Sequence, residues 1–306
     1  MIVSASYKTD IPAFYGDWFM ARLEDGGCRM VNPWGGQVHE VPLTIDAVDG
    51  FVFWTRNLRP FIHNLPTVRQ RAPFAVQYTI TGYPRALEPG VVAMAHAIDD
   101  LQRLAADFGP RAGVWRYDPI LFTSLTPADW HRTQFREIAA ALAGTVDEVV
   151  VSFAHIYAKT RRNLDAASRS DDFEWTDPRI EEKRSLAVDL AASASDHGIQ
   201  LTVCAQANCL VEGAVPARCI DADRLADVAG EAVAAPVKGN RPDCLCHRSR
   251  DIGAYDTCPH GCVYCYAVQN RDLAKRRHQA HDPMSPFLFE PARSRADSED
   301  EALAQN

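Results

Sequence analysis

Apolar positions along the chain fall into two patterns. Short, almost continuously apolar runs rich in β-branched and aromatic residues read as strands at Ile2–Ser6, Phe51–Thr55, Ala75–Ile80, Gly113–Tyr117, Glu148–Phe153 and Leu201–Ala205. Such unbroken runs suit parallel strands covered on both faces. Longer stretches with helical patterning lie between them, over Pro12–Glu24, Pro89–Phe108, Pro127–Ala143 and Arg179–His197. Thr126-Pro127 and Asp177-Pro178 fit helix starts, with a capping side chain followed by proline in the first turn.

Alternating strands and helices predict an α/β fold built from βαβ units. A TIM-like barrel, full or partial, is the first choice over an open doubly wound sheet. About six strands precede a cysteine-rich segment. Residues 1–206 are therefore expected to supply the barrel strands and helices. Residues 207–291 would form a cluster-binding segment that completes the same domain at the barrel mouth. The acidic stretch 292–306 lacks periodicity and is expected to be disordered.

Functional side chains in such folds gather where strands end and loops begin. The strand ends here are polar: Ser4, Ser6 and Lys8; Thr55, Arg56 and Asn57; Gln77, Thr79 and Thr81; Arg116, Tyr117 and Asp118; Ser152 and His155; Cys204 and Gln206. Together they are expected to surround one pocket, with Arg56, Gln77, Arg116 and Asp118 as candidate catalytic residues. The two arginines have planar forks suited to a carboxylate or phosphate. Asp118 equally suits a pair with Arg116 or a turn before Pro119. Tyr78, Tyr117 and Tyr157 are candidate hydrogen-atom donors. The charged run 157–172 reads either as a lid turning Lys159, Arg161 and Arg162 toward an anion or as a solvated helix face.

Composition narrows the function classes. With 47% hydrophobic and 24% charged residues, the 306-residue chain is of ordinary globular make-up and long enough for a large core. A net charge of -8 argues against a nucleic-acid groove or an anionic membrane as the main partner. The N-terminus MIVSASYKTD has no signal-peptide pattern, and no apolar stretch is long enough to span a bilayer, so a cytoplasmic location is expected. There, nine cysteines would stay reduced, and metal binding or catalysis accounts for them better than disulfides do.

Eight of the nine cysteines lie between Cys204 and Cys265. The last three, in Thr257-Cys-Pro-His-Gly-Cys-Val-Tyr-Cys-Tyr-Ala267, form C-x3-C-x2-C. Three thiolates so close can take three corners of a 4Fe-4S cubane and leave the fourth iron open. That iron can chelate the amino and carboxylate groups of S-adenosylmethionine (SAM). Pro259 stiffens the start of the loop and Gly261 frees its turn. His260 in the loop, together with His39 and His247, is a candidate ligand or proton donor, or a solvated histidine.

The spacing of Cys258, Cys262 and Cys265, with Tyr264 directly before the last, resembles the signature of the radical SAM superfamily. That resemblance implies a 4Fe-4S cluster on the three cysteines, bound SAM, and Tyr264 against the adenine. It also implies an electron donor such as a flavodoxin or ferredoxin, and a small-molecule or otherwise unknown substrate in the barrel. The superfamily carries its motif early, whereas only 41 residues follow Cys265 here. No suitably placed Gly-Gly-Glu segment is present either. The whole arrangement resembles a family of uncharacterised bacterial proteins with a C-terminal cysteine cluster like the radical SAM one. The shared stretches are Met1–Ser6, FVFWTRN (Phe51–Asn57), YTITGY (Tyr78–Tyr83), WRYDPI (Trp115–Ile120) and DIGAYDTCPHGCVYCYA (Asp251–Ala267). It implies a permuted or inverted relative of the radical SAM barrel and brings no substrate.

Cys204, Cys219, Cys244 and Cys246 form a candidate four-thiolate set for a second, auxiliary cluster, and these positions look recurrent in the resembled family. Cys209 is the rival of Cys219. Cys28 and Cys209 otherwise read as buried thiols acting as small hydrophobes. Zinc is the other reading, with Cys244-Leu-Cys246 completing a closed site with part of the later motif. Three functions follow: a SAM-cleaving radical enzyme, an iron–sulfur electron-transfer or redox protein that does not cleave SAM, or a zinc-stapled binding module.

Overall fold

The computed structural model describes residues 1–33 and 35–290. Its strands are β1 (Ile2–Ala5), β2 (Gly27–Val31), β3 (Val38–Pro42), β4 (Gly50–Thr55), β5 (Phe74–Thr79) and β6 (Gly113–Ile120). They continue with β7 (Phe122–Thr123), β8 (Glu148–Phe153), β9 (Trp175–Thr176), β10 (Gln200–Val203), β11 (Ala214–Pro216) and β12 (Ser249–Asp251). Eight of them form one sheet in the order β11-β10-β8-β6-β5-β4-β1-β12, and every pairing in it is parallel. From β1 to β11 each sheet strand neighbours the next in the chain, which is the winding of a barrel rather than of a doubly wound sheet. The last strand closes onto the other side of β1. No ladder joins the edges β11 and β12 among the described residues, so the expected α/β class is met by an eight-stranded parallel sheet consistent with a partial barrel, and no closure is seen.

The unbroken apolar runs are explained by what covers each face. Phe51, Phe53, Phe74, Val76, Trp115, Val149 and Val151 lie in the larger core with residues of the covering helices. These are α2 (Gly16–Asp25), α4 (Met94–Phe108), α5 (Ala128–Leu142) and α7 (Ile180–Asp196), which contribute Phe19, Leu101, Ile138 and Leu190. Each fully buried aromatic or large aliphatic side chain contributes roughly 2 kcal/mol of transfer free energy. The alternate residues Ile2, Val52, Ala75, Val114 and Val150 point to the other face, into a second core with Leu225 of α8 (Ala222–Ala229). A Cβ on Gly50 would stand 2.7 Å from Leu225, so that helix is tight against the sheet. Arg224 anchors it through Asp147 and Glu148, at 2.9 and 2.6 Å.

Several boundaries differ from expectation. The first helix is two: α1 (Ile11–Phe14), capped by Asp10, and α2, beginning after Tyr15. Residues 89–93 stay out of α4 because Gly90 exchanges backbone contacts with His260. The predicted threonine and aspartate caps are not formed. Thr126 Oγ1 donates to the Leu121 carbonyl, Asp177 pairs with Lys183 at 2.6 Å, and the caps of α5 and α7 are Pro127 and Arg179. The charged run is the helix α6 (Ala158–Asp171). Its Leu164 is buried in one cluster with Val263, Arg162 donates to the Gln269 carbonyl at 3.0 Å and Lys159 lies 5.7 Å over the Tyr255 ring, so part of the run's charge turns toward the C-terminal segment. The remaining helices are α3 (Leu65–Arg71) and α9 (Arg271–Gln279). No described helix is long and apolar enough to cross a membrane. The acidic tail lies outside the described residues.

Candidate metal centres at the carboxyl ends of the strands

The loop carrying Cys258, Cys262 and Cys265 is docked onto the ends of β1, β4 and β5. Gly90 N–H donates to the His260 carbonyl at 3.0 Å, Val263 N–H to Leu87 at 3.1 Å, and the Tyr15 hydroxyl to the Thr257 carbonyl at 2.6 Å. His260 Nε2 lies 2.8 Å from Asp10, whose carboxylate also accepts from Thr55 Oγ1, Arg56 N–H and Ala13 N–H. Gly261 turns the loop at φ 76, a left-handed value suited to glycine. His260 is therefore a buried anchor rather than a solvated histidine.

The three motif thiols sit close enough to repel one another as thiolates. Burial raises the Cys258 thiol, aided by the charge of Asp10 and of the other two cysteines. Burial likewise pushes Cys262 up to about 12, against the opposing pull of Arg56, and it raises Cys265. Desolvated thiols stay protonated unless a bound cation compensates them. The donor set fits an iron–sulfur cluster in number, spacing and softness. Among the described residues no three His, Cys, Asp or Glu side chains gather as one metal ion would require. A cubane places each thiolate on a different iron, so its ligands need not converge on one point.

Tyr264 is held at its tip. Its hydroxyl donates to Glu88, which also accepts from Arg56 at 2.5 Å and from Thr81 Oγ1 at 2.9 Å. Arg56 Nη2 reaches the same hydroxyl at 2.8 Å, and Tyr83 meets the ring edge-on at 5.9 Å between centroids. Only 6% of Tyr264 is exposed, so an adenine would reach the ring only after this packing opens.

Inside the curve of the sheet, Arg116 grips Asp118 through two bonds, at 3.1 and 2.5 Å. Its Nη1 donates to Gln77 Oε1 at 2.8 Å and lies 3.1 Å from the Cys219 sulfur. Gln77 in turn donates to the Cys219 carbonyl at 2.9 Å, and the Trp54 ring lies under the guanidinium at 4.9 Å. Asp118 and Cys262 both act electrostatically on Arg56. Gln77, Arg116 and Asp118 thus form one polar chain reaching Cys219, while Arg56 bonds to Glu88 and Tyr264 and meets Asp118 only through its charge.

The other cysteines assemble at the far end of that chain. The sulfurs of Cys204 and Cys219 are 3.4 Å apart, Cys219 hydrogen-bonds Cys246, and Cys246 hydrogen-bonds Cys244. The bond from Cys246 lowers the Cys244 thiol to about 6, despite partial burial. For Cys219, the bond with Cys204 favours the thiolate, but the bond with Cys246 and burial outweigh it and push the thiol up to about 11. Cys209 lies elsewhere, in the outer core, and so does Cys28, whose thiol burial pushes up to about 12. Cys219 is thus the partner of Cys204, Cys244 and Cys246. The last two are not gathered with the C-terminal motif, as the zinc arrangement required.

The pocket expected from the strand ends is only partly assembled. Ser4 and Ser6 donate to Asp251 on β12 instead, at 2.8 Å each, and Lys8 lies 3.4 Å from the same carboxylate. Tyr78 and Tyr117 belong to the helix-covered core and bond to Asp100 and His131, while Tyr157 is 49% exposed. None of these three tyrosines faces the polar chain, because side chains alternate across a strand. His247, directly after Cys246, accepts from Ala222 N–H at 3.1 Å through Nδ1. Glu88, Asp10 and Asp251 were not foreseen. The first two leave a signal, as carboxylates just past strand ends beside proline (Leu-Glu-Pro and Asp-Ile-Pro), whereas Asp251 depends on pairing between distant strands.

Two solved structures share partial likeness. A D-hydantoinase from Bacillus sp. AR9 is 12% identical, with a TM-score of 0.30 over 67% of this chain and 44% of that one. A dihydropyrimidinase from Brevibacillus agri NCHU1002 is 12% identical, with a TM-score of 0.27 over 71% of this chain and 39% of that one. This chain spans less than half the length of either, and neither match carries a functional argument. No curated protein matches. A family model described as a domain of unknown function, DUF1848, matches residues 2–267, from β1 to just past the last cysteine, and the chain belongs to that family.

Proposed function

We propose that Cys258, Cys262 and Cys265 hold a 4Fe-4S cluster with one open iron and that the protein is a radical SAM-type enzyme. The observation that carries this reading is the docking of the three-thiol loop onto the strand ends where β/α folds place their chemistry. When bound, such a cluster would supply one electron to SAM, giving methionine and a 5′-deoxyadenosyl radical that takes a hydrogen atom from substrate.

The chain's own residues then have definite tasks. Asp10, through His260, and Glu88, through Tyr264, fix the loop against β1, β4 and β5. Arg56 brings positive charge beside Cys262 and would favour its thiolate. Arg116, Asp118 and Gln77 line the enclosed face on which substrate would rest. The contact of Tyr264 with adenine belongs to an opened state of the Tyr83–Tyr264 packing. A flavodoxin or ferredoxin is the class of reductant that suits such a centre, and the cytoplasm is the compartment that keeps its thiols reduced.

Iron and acid-labile sulfide in anaerobically purified protein test the cluster, and the electron paramagnetic resonance of the reduced protein with added SAM tests the open iron. A spectrum altered by SAM and lost in Cys262→Ala supports the reading. Stoichiometric zinc without iron would overturn it.

A further inference from the structure

We propose that Cys204, Cys219, Cys244 and Cys246 hold a second iron–sulfur cluster, ligated by protein on all four sides. Four thiols meet here from three separate places in the chain. Cys204 follows β10, Cys219 lies between β11 and α8, and the Cys-Leu-Cys loop precedes β12. They are joined in file, Cys204 to Cys219 at 3.4 Å, Cys219 to Cys246 and Cys246 to Cys244. All are free thiols, and 3.4 Å is well beyond a disulfide bond of about 2.05 Å.

The groups around the sulfurs are donors. Arg116 Nη1 lies 3.1 Å from Cys219, Arg241 Nη2 lies 3.3 Å from Cys204, and Ile220 N–H donates to Cys246 at 3.4 Å. Arg241 forms no ion pair with a described carboxylate, and its charge acts on Cys204 and Cys219. Guanidinium and amide N–H groups directed at sulfur suit thiolates that carry negative charge on a bound metal group. No three described ligand side chains gather around a single ion position. A polynuclear group that takes one sulfur on each iron suits a file better than a tetrahedral zinc does. Its four protein thiolates leave no open iron, so this centre would carry electrons or staple the Cys-Leu-Cys loop to the sheet.

The test is independent of SAM chemistry. The full chain carrying Cys258→Ala, Cys262→Ala and Cys265→Ala is reconstituted anaerobically with ferrous iron and sulfide. The expected result is about half the wild-type iron and sulfide, with the broad visible absorption of a cluster. Adding Cys219→Ser or Cys244→Ser should remove both, whereas adding Cys209→Ser should not, with circular dichroism confirming the fold in each case. Cys244 is partly exposed on its loop and serves if Cys219→Ser fails to fold. Arg241→Met should keep the iron but make the centre harder to reduce, because a cation beside it favours the reduced state. A folded motif-free chain that holds no iron, or zinc alone, or that depends on Cys209 as much as on Cys219, would overturn the proposal. SAM cleavage retained by this motif-free chain would count against the function proposed above and not against this site.

Discussion

His260 Nε2 lies 2.8 Å from Asp10 Oδ2, and this contact joins the three-cysteine loop to the end of the first strand, about 250 residues away in the chain. The same carboxylate accepts from Thr55, Arg56 and Ala13. One buried side chain thus holds three segments in register. Asp10→Ala would leave those donors without an acceptor and is expected to cost roughly 3 kcal/mol in urea unfolding. Iron retention should fall with it. An unfolding midpoint and iron content equal to wild type would show that Asp10 does not hold the loop.

Gly90 approaches the loop from the other side. A Cβ there would stand 2.6 Å from the His260 carbonyl oxygen, a backbone atom that cannot swing away. Gly90→Ala should push the cysteine loop off the strand ends, with a stability loss of about 1–3 kcal/mol. Reconstituted iron should decrease as well, and wild-type iron content would contradict this account of the docking.

Glu88 is 3% exposed and compensates the Arg56 guanidinium at 2.5 Å. Replacing it by glutamine leaves a buried cation without its main counter-charge, expected to cost roughly 3 kcal/mol. Glu88→Gln combined with Arg56→Gln should cost less than the sum of the two single changes. Strict additivity in denaturant unfolding would mean that the pair is not coupled.

His131 makes a pH prediction. It is fully buried between the Tyr117 hydroxyl, at 2.9 Å, and the Leu121 carbonyl, at 3.1 Å, and burial lowers its pKa to about 4. An unfolded histidine titrates near ~6.5. Between those values the unfolded chain binds a proton that the folded chain does not. Stability from this group is therefore complete above ~6.5 and is lost as pH falls toward about 4. The loss by pH ~5 is roughly 2 kcal/mol. Urea unfolding at the two pH values measures it, and His131→Gln should flatten the difference.

Much of the fold was legible because parallel strands buried on both faces announce themselves as apolar runs, and all six expected strands are present. β11 and β12 were not legible, since each is only three residues long, β11 ending in proline and β12 being polar throughout. The break at Tyr15 and the late start of α4 at Met94 have tertiary causes, Tyr15 reaching Thr257 and Gly90 reaching His260. Spacing along the chain picked out the C-terminal cysteine group, the second set rested on the strand-end position of Cys204 and on the family resemblance, and the preference for Cys219 over Cys209 agrees with their placement. Spacing could not reveal Glu88 behind Tyr264, or that Tyr78 and Tyr117 turn toward the helices. Which face a strand residue takes depends on one step of register, and a run apolar on both faces hides that step.

The central claim is that the loop of Cys258, Cys262 and Cys265 serves SAM cleavage, and formation of 5′-deoxyadenosine tests it most directly. Anaerobically reconstituted, dithionite-reduced protein should convert SAM to 5′-deoxyadenosine, and folded Cys262→Ala should not. A fully loaded, reduced protein that leaves SAM intact, or a Cys262→Ala variant as active as wild type, would contradict the account.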